Sequence, residues 1–361
     1  MAGKIKRYKI PSMADVEKIR GTNGYSMVST FSGCGGSCLG FEMAGFDVRW
    51  ASEFIPAAQE VYRLNHPETI LSPKDIREVT AKSILKELGL KKGELDVFEG
   101  SPPCAAFSMA GHRHKAWGEV KKYSDKKQRV DDLFFEFARL LKGLKPKMFV
   151  AENVSGLIKG SAKGYFKEIY RTLQECGYTV TAKNLNAKWL GVPQSRERLI
   201  FIGTRKDLNI TPEYPTPMNG IIPYKQALAG LKQNADDPTP VTLKEGSKMR
   251  ELYNATRQGE TFDKGSKRVR GVDTAFQWYR AHPDKPIPTV VQGSQCICHP
   301  TEARTLTISE LKRLSAFPDD FQLTGSFQKQ WERIGRAVPP LMMRSIAQAV
   351  KKTLDGIIEG E

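Results

Sequence analysis

One thiol, one acid and two arginines carry most of the chemistry available in this sequence. Cys104 sits in Gly100-Ser101-Pro102-Pro103-Cys104-Ala105-Ala106-Phe107-Ser108, directly after the apolar run Leu95-Asp96-Val97-Phe98. A strand that ends in a proline-stiffened turn displays a nucleophile well. A free thiol titrates near ~8.5, so an electropositive neighbour is needed to raise its thiolate fraction. Arg196 and Arg198, in Gln194-Ser195-Arg196-Glu197-Arg198, are the candidates. Glu152, in Glu152-Asn153-Val154, ends an apolar stretch. A carboxyl group placed there can share a proton with a ring nitrogen. Taken singly, each residue has a bland explanation, since a cysteine after a strand is commonly buried packing and a strand-end Glu a salt-bridge partner. As an ordered set they suit covalent chemistry on a nucleobase.

Upstream lies a glycine-rich loop, Phe31-Ser32-Gly33-Cys34-Gly35-Gly36, after one strand-like run and before a helix-like one, Ser37–Gly45. Glycines there let the backbone pass close to a bound ligand. Glu53 closes the next strand, where an acid holds ribose hydroxyls, and Asp75 falls where a third strand should end. No Gly-Lys-Ser or Gly-Lys-Thr follows, so the loop is not a triphosphate cradle.

These residues need a parallel α/β scaffold, and the first two-thirds of the chain has its pattern, short apolar runs alternating with amphipathic stretches. Strands are expected near Met27–Phe31, Val48–Ser52, Leu95–Glu99, Met148–Glu152, Tyr178–Leu185 and Leu199–Gly203. A helix is expected over Asp132–Leu141, stopped by Lys145-Pro146-Lys147. After about Arg205, prolines break the pattern, and Val241–Arg280 is basic. Helical patterning returns at Thr307–Phe317 and Pro340–Leu354. The segments are therefore a basic arm over 1–24, a catalytic and cofactor-binding part over 25–205, a recognition module over 206–298 and a return segment over 299–361.

The 361 residues hold 56 Lys plus Arg against 40 acids, a formal net charge of +16. Such an excess points to a polyanionic partner. No apolar run approaches the ~20 residues of a membrane span, the basic N-terminus has no apolar core of a secretory signal, and six cysteines do not make a disulfide framework. A reduced, cytoplasmic chain is the expectation. The Cys296-x-Cys298-His299 run lacks a second ligand pair, so no metal is expected.

The ordered motifs resemble those of the DNA cytosine-5 methyltransferases of bacterial or phage type. The likeness runs from about Tyr25 to Val350 and ends in Gly335-Arg336-Ala337-Val338-Pro339-Pro340. It implies a Rossmann-like, mostly parallel sheet with helices on both faces, plus a small, irregular, mostly-β target-recognition domain. It implies that Cys104 attacks C6 of a flipped-out cytosine, that Glu152 holds N3 and the exocyclic amine, that Arg196 meets O2 and that Asn153 braces the proline–cysteine turn. S-adenosylmethionine would lie on Phe31, Ser32, Gly33, Gly35, Gly36, Glu53, Asp75, Ile76, Pro102, Arg336 and Val338. Double-stranded DNA would meet Ser108, Arg129, Arg198, Arg257, Lys267, Arg268 and Arg270. A monomer in the bacterial nucleoid or a phage-infected host, with a cognate restriction endonuclease, completes the expectation. Ala105 and Arg336 depart from the commonest family pattern. An arginine at 336 raises a second possibility, carboxy-S-adenosylmethionine as cofactor, giving 5-carboxymethylcytosine. An RNA cytosine-5 methyltransferase of the same fold, or a non-catalytic DNA-binding protein, would also show several of these motifs. The basic recognition-sized module weighs against the first, and the complete set of Cys104, Glu152 and Arg196 against the second.

Overall fold

The computed structural model describes residues 8–103, 121–123, 126–128, 133–159, 162–274, 277–293 and 296–358. Cys104, Ser108 and Arg129 lie outside them. The chain divides into two compact units. The first comprises Asp15–Asn186, Glu197–Thr216 and Met343–Glu361, and the second Met1–Ala14, Ala187–Arg196 and Pro217–Met342. The second unit thus takes in residues on both sides of the proline-rich break.

The first unit is built on a seven-stranded sheet: β1 Ser26–Thr30, β2 Asp47–Ser52, β3 Ile70–Ser72, β4 Val97–Gly100, β5 Met148–Val154, β6 Tyr178–Asn186 and β7 Glu197–Arg205. Their spatial order is β3-β2-β1-β4-β5-β7-β6. β1 to β5 are parallel, and β7 runs antiparallel between β5 and β6. Central parallel strands are covered on both faces and read as nearly continuous apolar runs, which is why β1, β4 and β5 were legible. β3 is three residues long, with Ile70 exposed, too short and too open to leave such a run.

The connecting helices are α1 Gly36–Glu42, α2 Pro56–Asn65, α3 Ala81–Leu88, α4 Leu133–Leu144 and α5 Lys163–Glu175. The start of α3 is set by a capping box between Thr80 and Ser83, and its end by Gly89 in the left-handed conformation. α4 stops at Leu144 because Lys145 turns to a positive φ of 54° and Pro146 has no N–H to continue the ladder. Alternation along the strands sorts the side chains. Val28, Phe98, Phe149 and Phe201 join Phe134, Phe137 and Leu141 of α4 in one core, with Phe98 and Phe137 stacked at 4.6 Å between centroids. Each such ring contributes roughly 2–3 kcal/mol of burial. Ser29 and Glu99, one position along from Val28 and Phe98, point away from that core.

The second unit is irregular between 217 and 298. It has small strand pairs, Tyr279–Arg280 with Ile297–Cys298 and Ile287–Pro288 with Gln194–Ser195. It also holds helices that the expectation of a mostly-β module did not include, among them α6 Lys248–Ala255 and α7 Phe262–Arg270. Their polar faces hide a small core of Leu243, Leu252, Tyr253, Phe262 and Cys298. α8 Ile308–Leu314 opens on a capping box of Thr307 and Glu310, and α9 Phe327–Arg336 follows. The last helix, α10, spans Pro340–Ile358. No helix among the described residues is long and apolar enough to cross a membrane.

Candidate active site

The parallel strands of the first unit end nearly level. Thr30 pairs with Ser52 and with Gly100, Ser52 with Ser72, and Gly100 with Ala151. Phe31, Glu53, Asp75, Ser101 and Glu152 therefore gather at one sheet edge. The strand order reverses between β1 and β4, and such switch points at carboxyl ends are where α/β sheets bind ligands.

The glycine loop is held in place by its own side of that edge. Phe31, half-buried, has a φ of 56°, and Gly33 and Gly35 also take positive φ. Glu53 is buried and spans two turns: one carboxylate oxygen accepts from Gly33 N–H at 2.8 Å and the other from Ile55 N–H at 2.7 Å. A Cβ on Gly33 would meet nothing within 4 Å, so the backbone there is open to approach. A Cβ on Gly35 would come within 2.2 Å of His66 Nε2. His66 is buried, held by Glu42 at 2.9 Å, and its ring lies against Tyr62. Gly36 is buried at the start of α1 and Ser32 is buried. Asp75 accepts from the Arg77 N–H and guanidinium, and Ile76 is part of the core.

β4 leads to the turn before Cys104. Gly100 is needed there, because a Cβ would lie 2.5 Å from Thr30 Oγ1 and 2.7 Å from the Phe137 ring. Asn153 Nδ2 donates to the Pro102 carbonyl at 3.3 Å, and its Oδ1 accepts from Val154 N–H. Beside it, Glu152 is 8% exposed and meets Arg198 Nε at 2.5 Å. The pair is diagonal across β5 and β7, since Ile200 lies opposite Glu152 and Arg198 opposite Val154.

A strand-end carboxylate with an arginine, a braced proline turn and an open glycine loop thus come together at the switch point. Residues 25–352 match the model of the C-5 cytosine-specific DNA methylases. The chain belongs to this family. As a DNA cytosine-5 methyltransferase it uses S-adenosylmethionine. It is similar to the Type II methyltransferase M1.HphI of Haemophilus parahaemolyticus, 32% identical over 90% of this chain and 86% of the relative. It is also similar to the Type II methyltransferase M.NgoPII of Neisseria gonorrhoeae, 30% identical over 92% and 97%. Among solved structures, a prophage-encoded E. coli protein described as a DNA modification methyltransferase shares the fold with a TM-score of 0.73, at 23% identity, over 92% of this chain and 99% of that one.

The residues at the sheet edge of this methylase are of types that could hold the cofactor. Glu53 offers a carboxylate for a diol, Phe31 an apolar ring for a purine, and Gly33 an unobstructed backbone. The thiols of Cys38, Cys176, Cys296 and Cys298 are all pushed up by burial, Cys38 to about 12 and Cys296 to about 11. A thiol so raised stays neutral and unreactive. Among the described residues, no group of His, Cys, Asp and Glu is arranged to hold a metal.

The arginines have distinct surroundings. Arg196, in the second unit, is 2% exposed. Its Nη1 donates to the Val290 carbonyl and its Nη2 to the Gly335 carbonyl, both at 3.0 Å. Gln194 belongs to the same clasp, with bonds to Ser315 Oγ and Val290 N–H. Gly335 is obligatory beside it, as a Cβ would meet the Val291 carbonyl carbon at 2.8 Å. Each terminal nitrogen of Arg196 thus bonds a backbone carbonyl, and Arg198 pairs with Glu152. Arg336 is paired with Glu332 at 2.9 Å within α9, and Val338 is buried. In the recognition module Lys267 pairs with Asp273, Arg268 with Glu260 and Arg270 with Glu251. Arg257 is exposed.

Proposed function

We propose that this methylase modifies a cytosine flipped out of a specific duplex DNA sequence, through a covalent bond between Cys104 and C6. The Glu152–Arg198 pair beside the Asn153-braced turn is the observation that supports this most. Glu152, holding N3 and the exocyclic amine, draws electron density out of the ring and makes C6 electrophilic; addition of the Cys104 thiolate to C6 then leaves an enamine whose C5 is nucleophilic. Arg198, not Arg196, takes the O2 side, because its guanidinium is already beside the carboxylate. Bound S-adenosylmethionine supplies an electrophilic methyl group to C5. A base, for which a water suffices, then removes the C5 proton, and the electron pair expels Cys104. None of these atoms is reachable within a duplex, so the base must leave the stack at a cost of a few kcal/mol.

Ser108, Arg129 and Arg257 are proposed contacts to DNA. Lys267, Arg268 and Arg270 form a basic end of α7 whose acid partners must yield to phosphate before they bind it. The Type II names of the relatives support a role beside a restriction endonuclease. Methyl is retained as the transferred group, since Arg336 is engaged by Glu332.

Duplex DNA carrying 5-fluorocytosine has no C5 proton to lose and should trap the protein. The expected result is a DNA adduct stable to denaturation with the native chain and none with Cys104→Ser. An adduct that survives that substitution would overturn the assignment of the nucleophile.

A further inference from the structure

A buried acid behind the site has no role in the chemistry above. Glu99 lies on β4 opposite Ser29 of β1 and is 1% exposed. Its Oε2 accepts from Ser29 Oγ at 2.7 Å, and its Oε1 lies 3.4 Å from Ser101 Oγ. Ser29 Oγ is 2.8 Å from Ser32 Oγ. A hydroxyl has one proton, so when Ser29 donates to Glu99 it accepts from Ser32. The bonds run from Ser32 through Ser29 to Glu99, and Ser101 meets the same carboxylate from the other side. Ser32 is in the glycine loop, and Ser101 opens the turn that carries Cys104.

We propose that Glu99 is a positioning residue whose carboxylate ties the cofactor loop to the nucleophile's turn. The proposal rests on the site assignment made above. The ionised carboxylate accepts from both serines at once. A protonated one must donate to an oxygen, which reverses or releases one arm of the tie.

The surroundings make this exchange accessible near neutrality. Burial pushes the Glu99 carboxyl up to about 7, offset in part by the Ser29 and Ser37 hydroxyls, with the negative charge of Glu152 adding to the rise. The groups facing it are Ser29 on β1, Ser37 and the neutral Cys38 thiol on α1, Glu152 on β5 and Ser101 just past the end of β4. Glu99 has no ion-pair partner among the described residues.

The test has two readouts. Single-turnover methyl transfer by the native protein should rise through an inflection near pH 7, below the rise due to the Cys104 thiol. Glu99→Gln, which cannot accept at both ends, should lose that inflection, be slower by about tenfold or more at pH ~8.5, and approach the native rate at pH ~6. Ser29→Ala removes a donor to the carboxylate and should move the inflection upward by about half a pH unit. The second readout needs no activity. A raised carboxyl favours the fold below its unfolded pKa, and that contribution is lost as pH rises through about 7. The native apo protein should therefore melt at lower temperature at pH ~8.5 than at pH ~6, and Glu99→Gln should flatten the difference. Identical pH profiles for native and Glu99→Gln proteins in transfer would overturn the proposal. Failure of native transfer with the melting difference intact would instead count against the site assignment.

Discussion

Arg198→Ala should lower methyl transfer by about 10²–10³-fold while the protein remains folded, and Arg196→Ala should do the reverse, costing the fold first. The first magnitude is that of losing one pre-placed charged donor from a transition state. Arg198 lies at 2.5 Å from Glu152, and both side chains keep some exposure, 15% and 11%. Loss of the arginine leaves a carboxylate that can take up a proton or a water, so the structural penalty is tolerable. Glu152 then no longer carries the charge that Arg198 organises, and Arg198→Lys should rescue little, because a point charge does not reproduce a planar fork.

Arg196 is different in kind. It is a buried guanidinium whose removal strands the carbonyls of Val290 and Gly335. Each abandoned buried acceptor costs about 1–3 kcal/mol, and the cavity left by an arginine adds to that. Circular dichroism melting alongside a radiolabel transfer assay separates the two. A folded, inactive Arg196→Ala together with an active Arg198→Ala would return the catalytic role to Arg196.

Two glycines of the same loop should likewise fail differently. Gly35→Ala is expected to destabilise the protein by roughly 2–4 kcal/mol. Its φ is 91°, and the new methyl would sit 2.2 Å from His66 Nε2. That ring cannot swing aside, because Glu42 holds it at 2.9 Å and Tyr62 packs on it. The backbone of the loop has to move instead. Gly33→Ala should cost only about 1–2 kcal/mol for its left-handed conformation, since its methyl meets open space. If that space is where the cofactor lies, Gly33→Ala weakens S-adenosylmethionine binding with little loss of stability. Calorimetric titration and thermal melting of both variants check this, and His66→Ala should partly restore Gly35→Ala. Equal melting losses for the two would contradict the packing account.

Much of this was legible in the primary structure because parallel strands and motif turns leave local marks. The apolar runs of β1, β4 and β5 and the ordered motifs at their ends located the sheet edge. The distinction between Arg196 and Arg198 was not legible. The two are separated by one residue, yet Arg196 follows the short pairing of Gln194–Ser195 with Ile287–Pro288, whereas Arg198 belongs to β7 on β5. That change of partner is set by residues nearly a hundred positions away. Glu99 was missed because an acid inside an apolar strand gives no sign of the serines that satisfy it from β1. α9 was missed because the face it buries, Gln330, Trp331, Arg333, Ile334 and Gly335, is mostly not apolar.

The most direct test is transfer itself. The purified chain is incubated with tritiated S-adenosylmethionine and, in separate reactions, duplex DNA and transfer RNA, and the nucleosides are resolved by mass spectrometry. The expected result is label in DNA alone, recovered as 5-methylcytosine and abolished by Cys104→Ser. Label confined to RNA, or DNA label recovered in a nucleoside other than 5-methylcytosine, would contradict the account.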